Sequence, residues 1–407
     1  MKKMIALLLA LVMALSVAAC GKNSSSTPST SIPSSPSTPT NPTKDPSTIH
    51  ELYRRPSYTG DAKAVLAARD TVVATMGDAQ LTSGMLQIYY WMGVYEFLST
   101  YGSYVSQLGL DINKPLDEQA FPDSDGTWQH YFLDNALGAW RYQQAIAMKC
   151  DATGTPISPG YQETLDTFYD DLTKSAVENG FASIDAMIQS DMGVGCTSED
   201  YYNYSKLSFK EQSYINKMIE DMDITDEMIE EYFTENEAAL AVNGITKSTG
   251  ESYRVRHILY LVDEKKTDDD WETCRQKAQK LLDDWLAGDA TEDSFAELAK
   301  EHSEDPGSQA AGGLYTGLSE QTSFVQEFKD WYLDDSRQIG DYGLVKTDYG
   351  YHIMYFSGTE PIWVFYCRES LVDERSSKLI SEIVEKLEPE IDYEKILLGD
   401  VKLTEEK

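Results

Sequence analysis

Tyr253-Arg254-Val255-Arg256-His257-Ile258-Leu259-Tyr260-Leu261-Val262 sets Val255, His257, Leu259 and Leu261 on one side of an alternating pattern, the period-two signature of a strand. A second apolar run, Gly350-Tyr351-His352-Ile353-Met354-Tyr355-Phe356, also carries a histidine, and Gly343-Leu344-Val345-Lys346-Thr347 precedes it as its hairpin partner. Between these strands Trp271, Cys274, Ala278, Leu281, Leu282 and Trp285 fall at helical spacing ended by Gly288. Phe295, Leu298 and Ala299 mark a second helix over Ser294 to His302, and Phe324, Phe328, Trp331 and Leu333 a third. The predicted order is β-α-α-α-β-β, a small α+β unit. Asp263 to Asp270 is charged and breaks the first strand; Asp268-Asp269-Asp270 lacks the ligand spacing of a calcium loop and reads as a solvated turn.

Outward from this unit the sequence is helical. Residues 82–108 hold Tyr89, Tyr90, Trp91, Tyr95, Phe97, Tyr101 and Tyr104, and Trp128, Phe132, Ala136, Trp140 and Ala147 follow at helical spacing. Val72 to Asp78 reads as a strand running into a turn, with Thr82 as a helix cap. The aromatic helices are read first as helix–helix core and second as broad contact for extended chains. Residues 367–390 return to helix through Leu371, Leu379, Ile383 and Leu387.

At the start, Lys2 and Lys3 precede an apolar run from Met4 to Leu15 and then Ser16-Val17-Ala18-Ala19-Cys20. That is the plan of an export signal, too short to span a bilayer. Lys22 to Ile49 holds nine Ser, six Thr and six Pro, so it buries too little to offset its ordering entropy and reads as a semi-stiff spacer. Cys150, Cys196, Cys274 and Cys367 show no CxxC or Cys/His metal spacing; two disulfides or four small buried thiols both fit.

Of the 407 residues, 34 are Lys or Arg and 68 Asp or Glu, a net charge of −34. A surface this acidic repels phosphate backbones and anionic headgroups, so nucleic acid is excluded as an expected partner. No P-loop, GxGxxG turn, HExxH or GxSxG elbow occurs. No metal or cofactor is expected. What remains is the histidine pair: on neighbouring strands, each imidazole fixes the other's tautomer through a shared hydrogen bond.

Arg256-His257-Ile258-Leu259, Phe295-Ala296-Glu297-Leu298-Ala299-Lys300, Ser303-Glu304-Asp305-Pro306-Gly307-Ser308, Gly312-Gly313-Leu314 and Val345-Lys346-Thr347 with Tyr349-Gly350-Tyr351-His352-Ile353 occur in that order. Together they resemble a parvulin-type peptidyl-prolyl isomerase domain over residues 253–358. With the Val17-Ala18-Ala19-Cys20 lipobox, the spacer and the flanking helices, the chain resembles the PrsA-like foldase lipoproteins of Gram-positive bacteria. The resemblance implies His257 and His352 as paired central histidines, Asp305 as the site acid and Thr347 as a hydroxyl bonded to the pair. It implies Leu314, Phe324 and Phe328 as the proline pocket, and lipidation at Cys20. Phe324 stands where Met is usual and Tyr315 where a small residue is frequent. The acidic residues Asp263, Glu264, Asp268, Asp269 and Asp270 outnumber Lys265 and Lys266, which argues against phosphorylated substrates.

The implied organisation is a lipoprotein signal peptide at 1–20, a disordered tether at 21–60, a helical chaperone-like domain at 61–250, the parvulin-type domain at 251–360 inserted in it, and a C-terminal helical segment at 361–407 packing on the helical domain. The expected partners are unfolded exported polypeptides with Xaa-Pro bonds, and the membrane through the N-terminal lipid on the extracytoplasmic face. The alternative is a non-catalytic holdase or peptide-binding surface lipoprotein that keeps the parvulin fold as scaffold.

Overall fold

The computed structural model describes residues 51–401 and 403, except 123, 263–265 and 306. The signal, Cys20 and the spacer from Lys22 to Ile49 lie outside the described residues; residues 51–60, expected as part of a disordered tether, are instead packed, with Leu52 and Tyr58 buried and the Tyr58 N–H donating to Gln129 Oε1 at 2.7 Å. The chain forms two compact units, one of described residues up to Met218 together with those from Ser377, the other of Ile219–Ser376.

The first unit contains α1 (Ala62–Ala68), β1 (Val72–Met76), β2 (Ala79–Thr82), α2 (Ser83–Tyr101), α3 (Trp128–Thr153), α4 (Pro159–Glu178) and α5 (Ile184–Met192), and α6 (Ser198–Glu220) runs to its end. Thr82 caps α2 by accepting the Met85 N–H at 3.2 Å. Leu86, Ile88, Tyr89, Tyr90 and Trp91 of α2 are buried, as are Trp128, Phe132, Leu133 and Trp140 of α3. These rings are core; Tyr101 and Tyr104 at the helix end are exposed. Two short strands escaped the periodicity: β2, and a two-residue strand near the C-terminus that joins β1's other edge.

The second unit holds α7 (Asp226–Val242), β3 (Glu251–Leu261), α8 (Asp268–Ala287), α9 (Glu292–His302), β4 (Leu314–Leu318), α10 (Gln326–Tyr332), β5 (Tyr342–Lys346), β6 (Gly350–Pro361) and most of α11 (Ile362–Val384). The last strand of the chain, β7 (Glu390–Ile391), belongs to the first unit. Among the described residues no helix is long and apolar enough to cross a membrane. The mixed α+β class is as expected, but two details differ. β4 lies between the second and third helices, hidden in the sequence by Gly312, Gly313 and Gly317. Asp268-Asp269-Asp270 is no turn but the first turn of α8, where the helix dipole favours acid and Thr267 and Asp270 form a capping box.

The units divide at Met218–Ile219 and Ser376–Ser377, not at 250 and 360. The reason is a cluster of Ile229 and Phe233 from α7, Ile245, and Trp363 and Cys367 from α11, which packs the two helices on each other, and α11 continues directly from β6 of the sheet. The four cysteines are free and buried.

The sheet is antiparallel in the order β4-β3-β6-β5. One face sends Ile258, Tyr260, Ile353 and Tyr355 against α8 and α9 through Cys274, Ala278, Leu282, Trp285, Phe295 and Ala299. The other sends Val255, Val345, Met354 and Phe356 against Leu318 and the α10 residues Phe328, Trp331 and Tyr332. β3 and β6 are therefore buried on both faces, and any polar group there needs a partner inside the protein. Gly313, at φ +73°, lets β4 close on β3: a Cβ would stand 2.2 Å from the His257 carbonyl oxygen. Gly350 does the same at the other strand, with a Cβ 1.9 Å from the Tyr260 oxygen.

Candidate functional site

His257 faces Met354 across the β3–β6 ladder, and His352 faces Leu259. The two histidines are thus diagonal neighbours on one face of the sheet. Their rings lie 5.2 Å apart at 20° and their Nδ1 atoms 3.0 Å apart. Both are almost fully buried.

The loop after α9 brings the acid. Leu259 N–H donates to Ser303 Oγ at 3.1 Å and Glu304 N–H to the Leu259 carbonyl at 2.8 Å, pinning the loop to β3. Asp305 Oδ2 then stands 2.8 Å from His257 Nε2. Ser308 donates to the same oxygen at 2.5 Å, and Tyr315 donates to it at 3.0 Å. Burial alone pushes the Asp305 carboxyl up, but donation from His257, Ser308 and Tyr315 outweighs it and holds the group well below the usual carboxylate range. Burial, and then His257, push His352 down to about 3.

These facts set the hydrogens. An ionised Asp305 only accepts, so His257 Nε2 carries hydrogen. The two Nδ1 atoms share one hydrogen across 3.0 Å, and His352 Nε2 is bonded to the Thr347 hydroxyl at 2.9 Å. Thr347 Oγ1 in turn accepts the Tyr349 N–H at 3.2 Å. A single hydrogen-bonded file runs from Tyr349 through Thr347, His352 and His257 to Asp305.

Beside this file lie aromatic rings. Phe328 packs edge-on to His257 at 5.2 Å and to His352 at 5.4 Å. Phe324 meets Phe328 at 5.0 Å and Tyr315 at 4.9 Å, and Tyr315 lies 5.4 Å from His257. The structure thus brings His257, His352, Asp305, Thr347, Phe324 and Phe328 together. Leu314 is not among them. It pairs with Arg256, and alternation along β4 turns it to the opposite face from His257. Tyr315, paired with Val255, takes the place facing the histidines. Ser308 was missed as a site residue although it ends the Ser303–Ser308 motif; a polar residue there is buried and has to bond the acid.

Phe328 is expected to matter for both slot and core. Phe328→Ala should cost about 3–5 kcal/mol of sheet-unit stability, as a fully buried Phe does, read by amide hydrogen exchange along β3 and β6.

Residues 240–358 match the PPIC-type PPIase domain. The chain is 28% identical to the foldase protein PrsA of Geobacillus sp. over 179 residues, 44% of this chain and 48% of that protein. It is 35% identical to the chaperone SurA of Pseudoalteromonas atlantica over 116 residues, 27% of this chain and 24% of that one. The aligned part is thus about half of the first relative's length and a quarter of the second's. The crystal structure of PrsA from Bacillus subtilis is similar at 18% identity with a TM-score of 0.33, covering 65% of this chain and 88% of that one. Residues 240–358, with their paired histidines on adjacent central strands, are a parvulin-type, PPIC-family domain, and the chain that carries them is PrsA-like.

Proposed function

We propose that the chain is an extracytoplasmic peptidyl-prolyl isomerase and foldase for exported polypeptides. The observation that carries the reading is the file His352–His257–Asp305 lying against the rings of Tyr315, Phe324 and Phe328. Rotation about an Xaa-Pro amide faces a barrier of about 18–20 kcal/mol because resonance flattens it. No bond need break, so a site works by holding the twisted amide better than either planar isomer.

The planar amide is the more dipolar form. A slot of apolar rings therefore disfavours it relative to the twisted form, while gripping the pyrrolidine ring. Phe324, Phe328 and Tyr315 form that slot. Asp305 places fixed negative charge where a planar carbonyl oxygen would be most electron-rich, and His257, held by His352 and Thr347, keeps that charge in place. Similarity to PrsA and SurA supports the wider role: the helical unit holds incompletely folded chains while the sheet unit turns their prolines. The lipobox-like Val17-Ala18-Ala19-Cys20 supports tethering by lipid at Cys20, with the Ser/Thr/Pro-rich spacer from Lys22 to Ile49 holding the body off the membrane.

One observation favours a second reading. Phe324 touches both Phe328 and Tyr315, so the protein's own rings narrow the slot, as suits a holdase that binds without turning over. Refolding of a client limited by proline isomerisation separates the two. The foldase reading expects the whole chain, at substoichiometric concentration, to speed the slow phase, which otherwise takes tens to hundreds of seconds. Suppressed aggregation with an unchanged slow phase leaves the holdase.

A further inference from the structure

Tyr315 differs from the other rings of the slot in being held at both ends. Its ring lies between His257 at 5.4 Å and Phe324 at 4.9 Å. Its hydroxyl donates to Asp305 Oδ2 at 3.0 Å. Burial, and then the Asp305 charge, push the phenol upward, so it stays a donor. Gly307 makes the room, since a Cβ there would stand 2.6 Å from the Tyr315 oxygen. A tyrosine has two side-chain rotors, and fixing the ring and the hydroxyl removes both. An aliphatic wall yields to a bulkier ligand by changing rotamer; a tethered phenol does not.

The geometry points to Tyr315 as the specificity-determining wall of the slot, tied by Asp305 at a width that fits a five-membered imino-acid ring and rejects a larger one. This deepens the isomerase reading and rests on it for the identity of the slot. The tie also links width to the histidine file, because one oxygen of Asp305 receives both Tyr315 and His257.

The test uses two peptides that differ only in proline against pipecolic acid, whose ring has one more methylene. One methylene in an apolar pocket discriminates by about 10–200-fold. Dissociation constants are measured by NMR titration of the whole chain, wild type, Tyr315→Phe and Tyr315→Leu, with exchange between cis and trans peptide followed in the same samples. The wild type is expected to prefer the proline peptide by at least about tenfold. Tyr315→Phe keeps the ring and loses the tether, so the preference should fall about fivefold, the value of one hydrogen bond. In Tyr315→Leu it should nearly vanish. An unchanged preference in Tyr315→Phe overturns the assignment, and that isosteric variant decides the matter if Tyr315→Leu fails to fold. Binding without accelerated exchange in the wild type would remove the isomerase reading while the ratio of dissociation constants still judges the wall. A wild type that binds neither peptide overturns both.

Discussion

His257→Ala is expected to lower the catalysed rate of Xaa-Pro exchange by about 10²–10³-fold, the usual cost of removing one preorganised polar group from a site. His257 is the junction of the site. Its Nε2–H donates to Asp305 Oδ2 at 2.8 Å, and its Nδ1 shares a hydrogen with His352 Nδ1 at 3.0 Å. Truncation leaves the carboxylate with fewer donors and the buried His352 Nδ1 without its partner. Asp305→Asn separates charge from shape, because an amide oxygen still accepts from His257 while the negative charge is gone. A loss in Asp305→Asn near that of His257→Ala assigns the effect to charge; a much smaller one assigns it to orientation. Circular dichroism of each variant checks that the sheet unit stays folded.

Stability of the sheet unit should fall steeply with acid. His352 is pushed down to about 3 from the ordinary 6.5, chiefly by burial. A base whose folded pKa is depressed stays neutral in the native state while the unfolded chain takes up a proton. Stability is therefore full above about pH 6.5 and is lost as pH falls toward 3. At about 1.4 kcal/mol per unit, the loss reaches up to about 5 kcal/mol at the low end. Asp305, also held below its ordinary value, adds a loss of the same sign at still lower pH. Hydrogen exchange of the β3 and β6 amides between pH 7 and pH 4, in wild type and in His352→Gln, isolates the effect: the variant should lose most of the slope. Equal slopes would contradict a neutral buried His352.

Much of this unit was legible because its strands are central. Val255, His257 and Ile258 alternate between two apolar faces, so periodicity alone placed β3, and the Gly-Tyr-His run placed β6. β4 was hidden because its flanking glycines, which read as turns, are there for close approach to β3; the Gly313 contact with His257 is a tertiary demand that no local pattern carries. The same short strand explains the exchange of Leu314 for Tyr315: with the start of β4 unknown, the face of each residue was unknown, and one step of register moves a side chain across the sheet. The α7 and α11 helices were assigned to the helical region by composition, whereas Phe233 and Trp363, 5.1 Å apart, join them within the sheet unit. The acidic first turn of α8 looked like a charged loop because a capping box and a solvated turn use the same residues.

The most direct measurement is two-dimensional exchange NMR of an Xaa-Pro peptide at equilibrium with a small fraction of the whole chain. The peptide alone exchanges too slowly for cross peaks between its cis and trans signals. The account predicts cross peaks that grow in proportion to added protein and vanish with His257→Ala. Peptide signals that shift on binding but show no exchange with wild-type protein would contradict it.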